Sequence, residues 1–394
     1  MKNLKLKKGK EKSLERFHPW IFSGALEGTV KNVEEGELVR LFDASDNFRA
    51  IGHFQPSSLS IRILSFEDVE IDQSFWNKKI EKALETRLVL NFDETQNQIF
   101  RLTHGEGDGL PGLIIDVYGE LAIIQCHSLG MFNHIEEISK AIEVVFGDKI
   151  STIYSKSQET IPFLANAQNA NRFLKGEAKN IWAAENGLLF FIDYLEGQKT
   201  GFFIDQRENR ELLGKYAKGK TVCNTFCYSG GFSLYALQHG AKKVVSVDSS
   251  ERAMELVEKN LANNIKDTTN HESVKADVFK YFTEKDDEKF DVMVLDPPAF
   301  AKHQKAVPNA LKGYRRLNAA GMRNTNNGGI IFTFSCSQAI TKENFRTSIF
   351  AAAIEENKEV KILHQLHQPA DHPINIFHPE GEYLKGLVIQ VFDK

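Results

Sequence analysis

Several absences limit what this 394-residue sequence encodes. No apolar run reaches the roughly 18 residues of a membrane-spanning helix, and the first residues, MKNLKLKKGKEKSLER, lack the apolar centre of a signal peptide. The four cysteines are scattered, without a histidine cluster at zinc-ligand spacing. A formal net charge of −4 argues against a protein that coats nucleic acid by bulk electrostatics. We therefore expect a cytoplasmic enzyme or binding protein with reduced thiols and no zinc.

One local segment departs from this mildly acidic balance. The first sixteen residues are rich in lysine, and His18, Trp20 and Phe22 follow at once in ERFHPWIFSGAL. Flat rings beside positive charge are typical of surfaces that contact RNA. A solvated terminus would have the same composition, so this segment alone is a weak indication.

The first part of the chain has two different hydrophobic patterns. Between Leu38 and Phe66 the segments ELVRLFD, FRAIGHF and LSIRILSF alternate apolar and polar residues, which predicts short antiparallel strands. From Ser74 to Leu90 the apolar residues recur at helical spacing. A small β-domain therefore ends before this helix, and a second unit begins with it.

The second unit mixes strands and helices. LPGLIIDVYGELAIIQCHS predicts two strands, followed by a helix from about Met131 to Phe146 and a strand near Thr152 to Lys156. One further strand is expected to end near Tyr194. We divide the chain into a small β-domain at 1–70, a central α+β domain at 74–187 and a third domain at 188–394.

From Lys220 onward, strands and helices alternate. KTVCNTF, KVVSVD, SVKAD and FDVMVLD are four short apolar strands separated by amphipathic helices, and GGIIFTF is a fifth. This alternation predicts an α/β fold with a mostly parallel, doubly wound sheet of the Rossmann type. Ligands of such sheets bind beyond the carboxyl ends of the strands.

The turn NTFCYSGGF follows the first of these strands and opens a helix. Gly230 and Gly231 let the backbone approach a ligand at the helix N-terminus, although the dinucleotide motif G-x-G-x-x-G is absent. Asp248, Asp277 and Asp296 are expected to end the next three strands. A carboxylate at the position of Asp248 commonly accepts ribose hydroxyls. Helix capping explains each aspartate singly but explains the set less readily, so the pattern favours a cofactor site.

Five segments of the chain, NTFCYSGGF, VVSVDSS, VLDPPAF, FSCSQ and HPEGEYLKGL, together resemble a known family. They are similar to the class I S-adenosylmethionine-dependent ribosomal RNA large-subunit methyltransferases that modify cytosine at C5. HPWIFSGA resembles the N-terminal PUA domain of that family, EGDGLPGLIIDVYG its central domain, and GQKTGFFIDQRENR the entry to its catalytic domain. The resemblance implies a Rossmann-like class I methyltransferase domain, S-adenosyl-L-methionine as cofactor and large-subunit ribosomal RNA as substrate, and it is compatible with a homodimer.

The resemblance also implies roles for single residues. Five residues of the turn would shape the methionine end of the cofactor pocket: Phe226, Tyr228, Ser229, Gly230 and Gly231. Asp248 would hold the ribose and Asp277 the adenine amino group. Asn224 stands where many methyltransferases carry an acidic residue and would bond the cofactor without adding charge. Three residues of KTGFFIDQR would cover the cofactor: Thr200, Phe202 and Arg207. A plain hairpin with a surface arginine is the alternative for that segment.

Methylation of cytosine at C5 needs a covalent nucleophile, because C5 becomes reactive only after a thiolate has added at C6. Cys336 follows the fifth strand and should therefore emerge at the same edge as Asp296. Cys126 and Cys223 lie within strands, and Cys227 lies in the cofactor turn, so these three fit less well. Strand-end position and resemblance together predict Cys336 as the nucleophile. A small structural side chain is the interpretation that Cys336 would receive in isolation.

The loop DPPAF predicts the surroundings of the base. Asp296 is expected to hold the cytosine amino group or a water and to contact the cofactor, and Phe300 offers a ring on which a base flipped out of RNA can stack. This loop has no cysteine, so the group that removes the C5 proton stays unassigned, with Lys302 and His303 as alternatives to Asp296.

The C-terminal segment combines histidines, prolines and acidic residues. His372, His378 and Glu380 are mixed with prolines and no second cluster completes a ligand shell, so we predict no metal site. The resemblance instead implies that three later residues brace the rim of the active site: Glu382, Tyr383 and Lys385.

The resemblance, together with the strand-end cysteine, implies an enzyme, a methyltransferase of 23S-type ribosomal RNA that methylates cytosine at C5 through a covalent bond between Cys336 and C6. Two alternatives stay open. An RNA methyltransferase acting on a ring nitrogen would not need the thiol. A non-catalytic RNA-binding factor of ribosome assembly would not bind the cofactor.

Overall fold

The chain is described by a computed structural model that covers residues 1–28, 30, 32–91, 95–161, 169–285 and 287–394. The described residues form two compact units. The first unit comprises Met1–Gly187, Ile192–Ile204 and Ala370–Gly381. The second comprises Leu188–Phe191, Asp205–Pro369 and Glu382–Lys394.

The first unit begins with a small sheet. Its elements are β1 (Lys2–Lys5), α1 (Lys12–Glu15), β2 (Trp20–Phe22), β3 (Leu38–Phe42), β4 (Phe48–Phe54) and β5 (Leu59–Ser65). The strands pair in the order β1-β3-β4-β5-β2, and β3, β4 and β5 are antiparallel as predicted. Their alternation buries Val39, Leu41 and Ile61 completely, on the face that forms the core of this sheet.

A second sheet with its own core follows in the same unit. Its elements are α2 (Gln73–Leu88), β6 (Ile99–His104), β7 (Leu113–Tyr118), β8 (Leu121–Cys126), α3 (Leu129–Asn133), α4 (Ile135–Phe146), β9 (Thr152–Lys156) and β10 (Asn171–Lys175). The strand order is β10-β9-β8-β7-β6. Trp76 and Ile80 of α2 and Ile138 and Ile142 of α4 are fully buried, because the four-residue spacing within each pair places both side chains on one helix face.

The structure corrects the strand prediction for the central segment in two places. The strand β6 was not predicted, because its polar Arg101 interrupts the apolar pattern; in the fold this guanidinium pairs with the buried Asp116 at 2.7 Å. The strand expected to end near Tyr194 is β12 (Leu188–Ile192), but two strands that were not predicted precede it in the same segment: β10 and β11 (Ile181–Glu185). The domain division at 1–70, 74–187 and 188–394 remains a proposal, and the two separate cores of the first unit support it.

The second unit has the predicted alternation of strands and helices. Its further elements are α5 (Arg207–Ala217), β13 (Thr221–Thr225), α6 (Gly231–Gln238), β14 (Lys243–Asp248), α7 (Glu251–Asn264), β15 (His271–Lys275), α8 (Val278–Glu284), β16 (Phe290–Leu295), α9 (Val307–Arg323), β17 (Thr325–Ser335), α10 (Lys342–Glu355), β18 (Lys358–Leu366) and β19 (Lys385–Asp393). No helix among the residues described is long and apolar enough to span a membrane.

The strands of the second unit form one sheet in the order β15-β14-β13-β16-β17-β19-β18. The five strands β13 to β17 are parallel, as predicted, whereas β19 runs antiparallel to both β17 and β18. The strand order reverses between β13 and β16. In open α/β sheets a crevice lies at the carboxyl ends of the strands where this reversal occurs, and that rule locates the candidate site.

Candidate active site

The turn after β13 has an unusual backbone. Phe226, Tyr228 and Gly230 have φ angles of 54°, 46° and 78°, so every second residue lies in the left-handed region. Aromatic residues rarely adopt this conformation, and such strain concentrates at ligand sites. Gly230 caps α6, so the strained turn faces the positive end of that helix. Alternating backbone of this kind orients amide groups toward an anion, which fits the carboxylate of a bound amino-acid moiety.

Asp248 ends β14, as predicted, and faces this turn. Its Oδ2 accepts the backbone N–H of Tyr228 at 3.1 Å, and its Oδ1 accepts that of Ser250 at 3.0 Å. The side chain is half-buried. Two backbone amides therefore fix the carboxylate, and each oxygen keeps a further lone pair for a ribose hydroxyl.

Two other predicted cofactor residues have local partners. Asp277 is not the end of its strand: β15 stops at Lys275, and the exposed carboxylate caps α8 by accepting the N–H of Lys280 at 3.0 Å. Asn224 is buried, and its Nδ2 donates to Ser233 Oγ at 2.9 Å. Their roles toward the cofactor stay predictions.

The residues expected to cover the cofactor are all buried. Thr200 and Phe202 belong to the first unit, where Thr200 Oγ1 donates to Asp116 Oδ2 at 2.6 Å. Arg207 begins α5 in the second unit and is 3% exposed. The alternative of a surface arginine is therefore wrong, while a covering role stays a prediction for all three residues.

Asp296 directly follows β16 and has a partner that the sequence did not suggest. Its Oδ2 accepts Nε2 of the buried Gln206 at 2.9 Å. Gln206 is held in turn by Asn209, whose Nδ2 donates to Gln206 Oε1 at 2.6 Å. The polar run DQREN at the start of a helix was the signal in the sequence that could have indicated Gln206 and Asn209 as site residues.

Cys336 directly follows β17. The register pairs Thr333 of β17 with Leu295 of β16, so the chain emerges beside Asp296 at the predicted edge. The four cysteines all lie in described segments, and Cys336 alone among them is not buried. Its neighbours are tied on both sides, which holds the sulfur at the end of the strand.

One tie runs to α9. Ser335 Oγ donates to the hydroxyl of Tyr314 at 2.8 Å, and both residues are fully buried. Burial, together with the charges of Cys336 and Asp296, raises the pKa of Tyr314 to about 12. The phenol therefore stays protonated at neutral pH and lies within electrostatic reach of both predicted catalytic groups.

The other tie runs to the DPPAF loop. Ser337 Oγ hydrogen-bonds to the carbonyl oxygen of Ala301 and accepts the N–H of Ala301 at 3.2 Å. Phe300 is half-buried and packs on Tyr314 with 4.7 Å between ring centroids. Stacking of a flipped base on Phe300 stays a prediction. Lys302 and His303 are exposed in the same loop.

The remaining three cysteines are buried where their thiols are poorly reactive. Burial raises the pKa of Cys126 to about 12 and also raises the pKa of Cys223 and of Cys227. These three thiols stay protonated near neutral pH, and protonated thiols are poor nucleophiles.

The residues around the start of β19 are held by polar contacts, and their role as a brace of the active-site rim stays a prediction. Glu382 pairs with Lys342 of α10 at 2.5 Å, and the hydroxyl of Tyr383 donates to Asp205 Oδ2 at 2.7 Å. Lys385 is buried, and its Nζ donates to the carbonyl oxygen of Ser337 at 2.6 Å.

The histidines of the C-terminal segment separate into two environments in the first unit. His372 is buried, with Nδ1 3.0 Å from Asp371 Oδ1. His378 and Glu380 lie near His18, and the ligand atoms of these three residues are within 4.8 Å of one another. Two imidazoles and a carboxylate at these distances are compatible with an ion pair as well as with metal coordination. The expectation of no metal site therefore stays a prediction.

Comparisons with known proteins agree with this architecture. A PUA-like domain matches residues 4–66, and the S-adenosylmethionine-dependent methyltransferase family matches residues 154–378. Ribosomal RNA large subunit methyltransferase I is 38% identical to this chain in Tolumonas auensis and 37% identical in Aeromonas hydrophila, and each alignment covers 98% of both chains. The crystal structure of SMU.776 complexed with SAH has a TM-score of 0.86 and 25% identity, and the match covers 99% of this chain and 100% of that one.

The predicted fold class is thereby confirmed: a PUA-like domain precedes a Rossmann-like methyltransferase domain. The cofactor prediction is confirmed as S-adenosylmethionine, and the strained turn and fixed Asp248 carboxylate fit its amino-acid and ribose moieties. The chain belongs to the S-adenosylmethionine-dependent methyltransferases and, within them, to the family of ribosomal RNA large subunit methyltransferase I.

Proposed function

We propose that this protein methylates cytosine at C5 in large-subunit ribosomal RNA, with Cys336 as the covalent nucleophile. The observation that carries the proposal is the contrast among the thiols: Cys336 is accessible at the edge that holds Asp296, whereas the other cysteines are buried. The substrate class is supported by the relatives, whose name specifies large-subunit ribosomal RNA.

Several residues would hold the cofactor, which supplies an electrophilic methyl group when bound. The turn from Phe226 to Gly231 would contact its methionine end, and Asp248 would accept its ribose hydroxyls. Asp277 would receive the adenine amino group, and Asn224 would add an uncharged contact. Three residues would cover the ligand: Thr200, Phe202 and Arg207.

The chain's own groups act on the base. The thiolate of Cys336 forms a bond to C6, and the C5–C6 π electrons move to C5, which can then take the methyl group. Asp296 accepts a hydrogen bond from the cytosine amino group and holds the ring against the sulfur. An unassigned base takes the C5 proton, and the electrons of the C5–H bond re-form the C5–C6 double bond. The S–C6 bond breaks with its electron pair on sulfur, which regenerates the thiolate.

The PUA-like domain would contribute RNA contacts. Its N-terminal segment is rich in lysine, and Phe17 and Phe22 are about half exposed beside it, at 50% and 52%. Aromatic faces next to cations stack and attract single-stranded RNA. We also propose a cytoplasmic location and a homodimer; light scattering of the purified chain tests the dimer.

The decisive experiment compares wild-type protein with Cys336→Ala. We expect both to bind S-adenosylhomocysteine in calorimetry, and mass spectrometry of ribosomal RNA nucleosides to show 5-methylcytosine only with the wild type. A methylated ring nitrogen that survives the substitution would favour the base N-methyltransferase instead. Absence of cofactor binding by folded wild-type protein would favour a non-catalytic assembly factor.

A further inference from the structure

Lys385 lies along the backbone that carries Cys336. It opens β19 and pairs in register with Ser335, the residue before the cysteine. Its Nζ donates to the carbonyl oxygen of Ser337, the residue after the cysteine, at 2.6 Å. The backbone of Lys385 thus lies opposite residue 335 and its ammonium contacts residue 337, so both ends of the lysine are next to the two neighbours of the cysteine.

The burial of this lysine needs an explanation. Lys385 is 5% exposed, and a lysine is almost never this buried without a compensating partner. One neutral carbonyl oxygen offsets only part of the desolvation. Burial outweighs the opposing charges of Cys336 and Glu382 and lowers the pKa of Lys385 to about 8. The ammonium is therefore still mostly protonated at pH 7, and negative charge on the cysteine stabilises it.

The other charged and titratable groups around the pair do not replace this cation. Lys342 of α10 also approaches, but it forms an ion pair with Glu382 at 2.5 Å. Tyr314 of α9 stays protonated, and Asp296 is an acid that would disfavour a second negative charge nearby. Lys385 is thus a buried cation that contacts the residue after Cys336, and its charge interacts with that of Cys336.

We propose that Lys385 is a positioning residue that keeps Cys336 as the thiolate. Its ammonium, oriented by the Ser337 carbonyl, offsets the charge of the sulfur, and the thiol proton passes to solvent. A neighbouring lysine is among the features that lower thiol pKa values below the usual 8.5 or so. This inference rests on the proposed function, because a thiolate is required here only if Cys336 is the nucleophile.

The test measures the ionisation of Cys336 directly in the full-length protein. Iodoacetamide is added at a series of pH values, and the rate of Cys336 alkylation is read by peptide mass spectrometry. The burial of the other cysteines keeps their labelling slow. We expect the wild-type rate to rise with an apparent pKa below about 8.5, the value of an ordinary thiol.

Two substitutions separate charge from packing. Lys385→Met keeps the length and removes the charge, so we expect the apparent pKa to rise by about one unit and the labelling rate at pH 7 to fall about 10-fold. Lys385→Arg keeps a cation and should retain most of the wild-type rate. The difference between wild type and Lys385→Met should shrink above about pH 9, because wild-type Lys385 has then lost its proton.

Lys358→Met is the matched control. Lys358 is a largely buried lysine of the same unit that pairs with Asp393, in strands β18 and β19. Its loss should leave the Cys336 profile unchanged. An ordinary thiol pKa for Cys336 in the wild-type protein would overturn the proposal by itself. An unchanged pH profile of Cys336 labelling in folded Lys385→Met would also overturn it, and so would equal losses of labelling rate in Lys385→Arg and Lys385→Met. If Cys336→Ala still makes 5-methylcytosine, the proposed function fails, while the labelling profile still decides the role of Lys385.

Discussion

The hydrogen bond between Ser335 and Tyr314 should control how firmly Cys336 is held. Tyr314→Phe removes the acceptor for Ser335 Oγ, which lies 2.8 Å from the phenol in a fully buried environment. The ring itself stays, with its contacts to Phe300 and Phe345 at centroid distances of 4.7 and 5.3 Å. The substitution therefore isolates the hydroxyl.

The expected loss follows from the buried donor. A buried hydroxyl left without an acceptor costs about 1–3 kcal/mol. In a unit of roughly 180 residues, each kcal/mol corresponds to about 2–4 °C in Tm, so we expect Tm to fall by about 2–12 °C. A reacting group displaced by about 1 Å loses on the order of 100-fold in rate, so methylation should fall by about 10- to 100-fold.

The assay combines thermal unfolding with initial methylation rates on ribosomal RNA. Tyr216→Phe is the control, because it also removes a tyrosine hydroxyl of the second unit, here one 2.7 Å from His364 Nε2. This control should lower Tm without a matching loss of methylation rate. The reasoning would be refuted if Tyr314→Phe kept the Tm and methylation rate of the wild type. It would also be refuted if Tyr314→Phe and Tyr216→Phe lost methylation rate equally.

Three further perturbations probe the cofactor site, the first unit and the buried thiols. Asp248→Asn should weaken S-adenosylhomocysteine binding in calorimetry by about 10- to 100-fold, because hydrogen bonds to a charged group contribute about 1.5–3 kcal/mol; unchanged affinity would argue against the ribose role. Arg87→Met leaves the buried carboxylate of Asp108 without its guanidinium, so the free energy of unfolding of the first unit in urea should fall by about 3–5 kcal/mol. A smaller fall would mean that water reaches the carboxylate. Cys126 should resist iodoacetamide below pH 9 in native protein, because its pKa is about 12, and should react once urea unfolds the chain; native labelling as fast as that of Cys336 would show that the strand opens.

Local patterns were sufficient for much of the fold. Period-two alternation identified β3, β4 and β5, and the alternation of apolar strands with amphipathic helices identified the parallel sheet. The pattern failed at β6, where Arg101 is compensated by an aspartate on a neighbouring strand. It also could not show that β19 inserts antiparallel beside β17, because strand pairing depends on segments far apart in the chain.

For the candidate site, the sequence by itself determined which residues stand at strand ends. Parallel strands share one edge, so Asp248, Asp296 and Cys336 had to gather there once the alternation of strands and helices was recognised. Tertiary structure alone decided their partners: Gln206 reaches Asp296 across 90 residues, and Lys385 reaches the loop of Cys336 across 48. Strand ends follow from backbone periodicity within each segment, whereas a buried polar group is stable only where packing of distant segments brings it a partner.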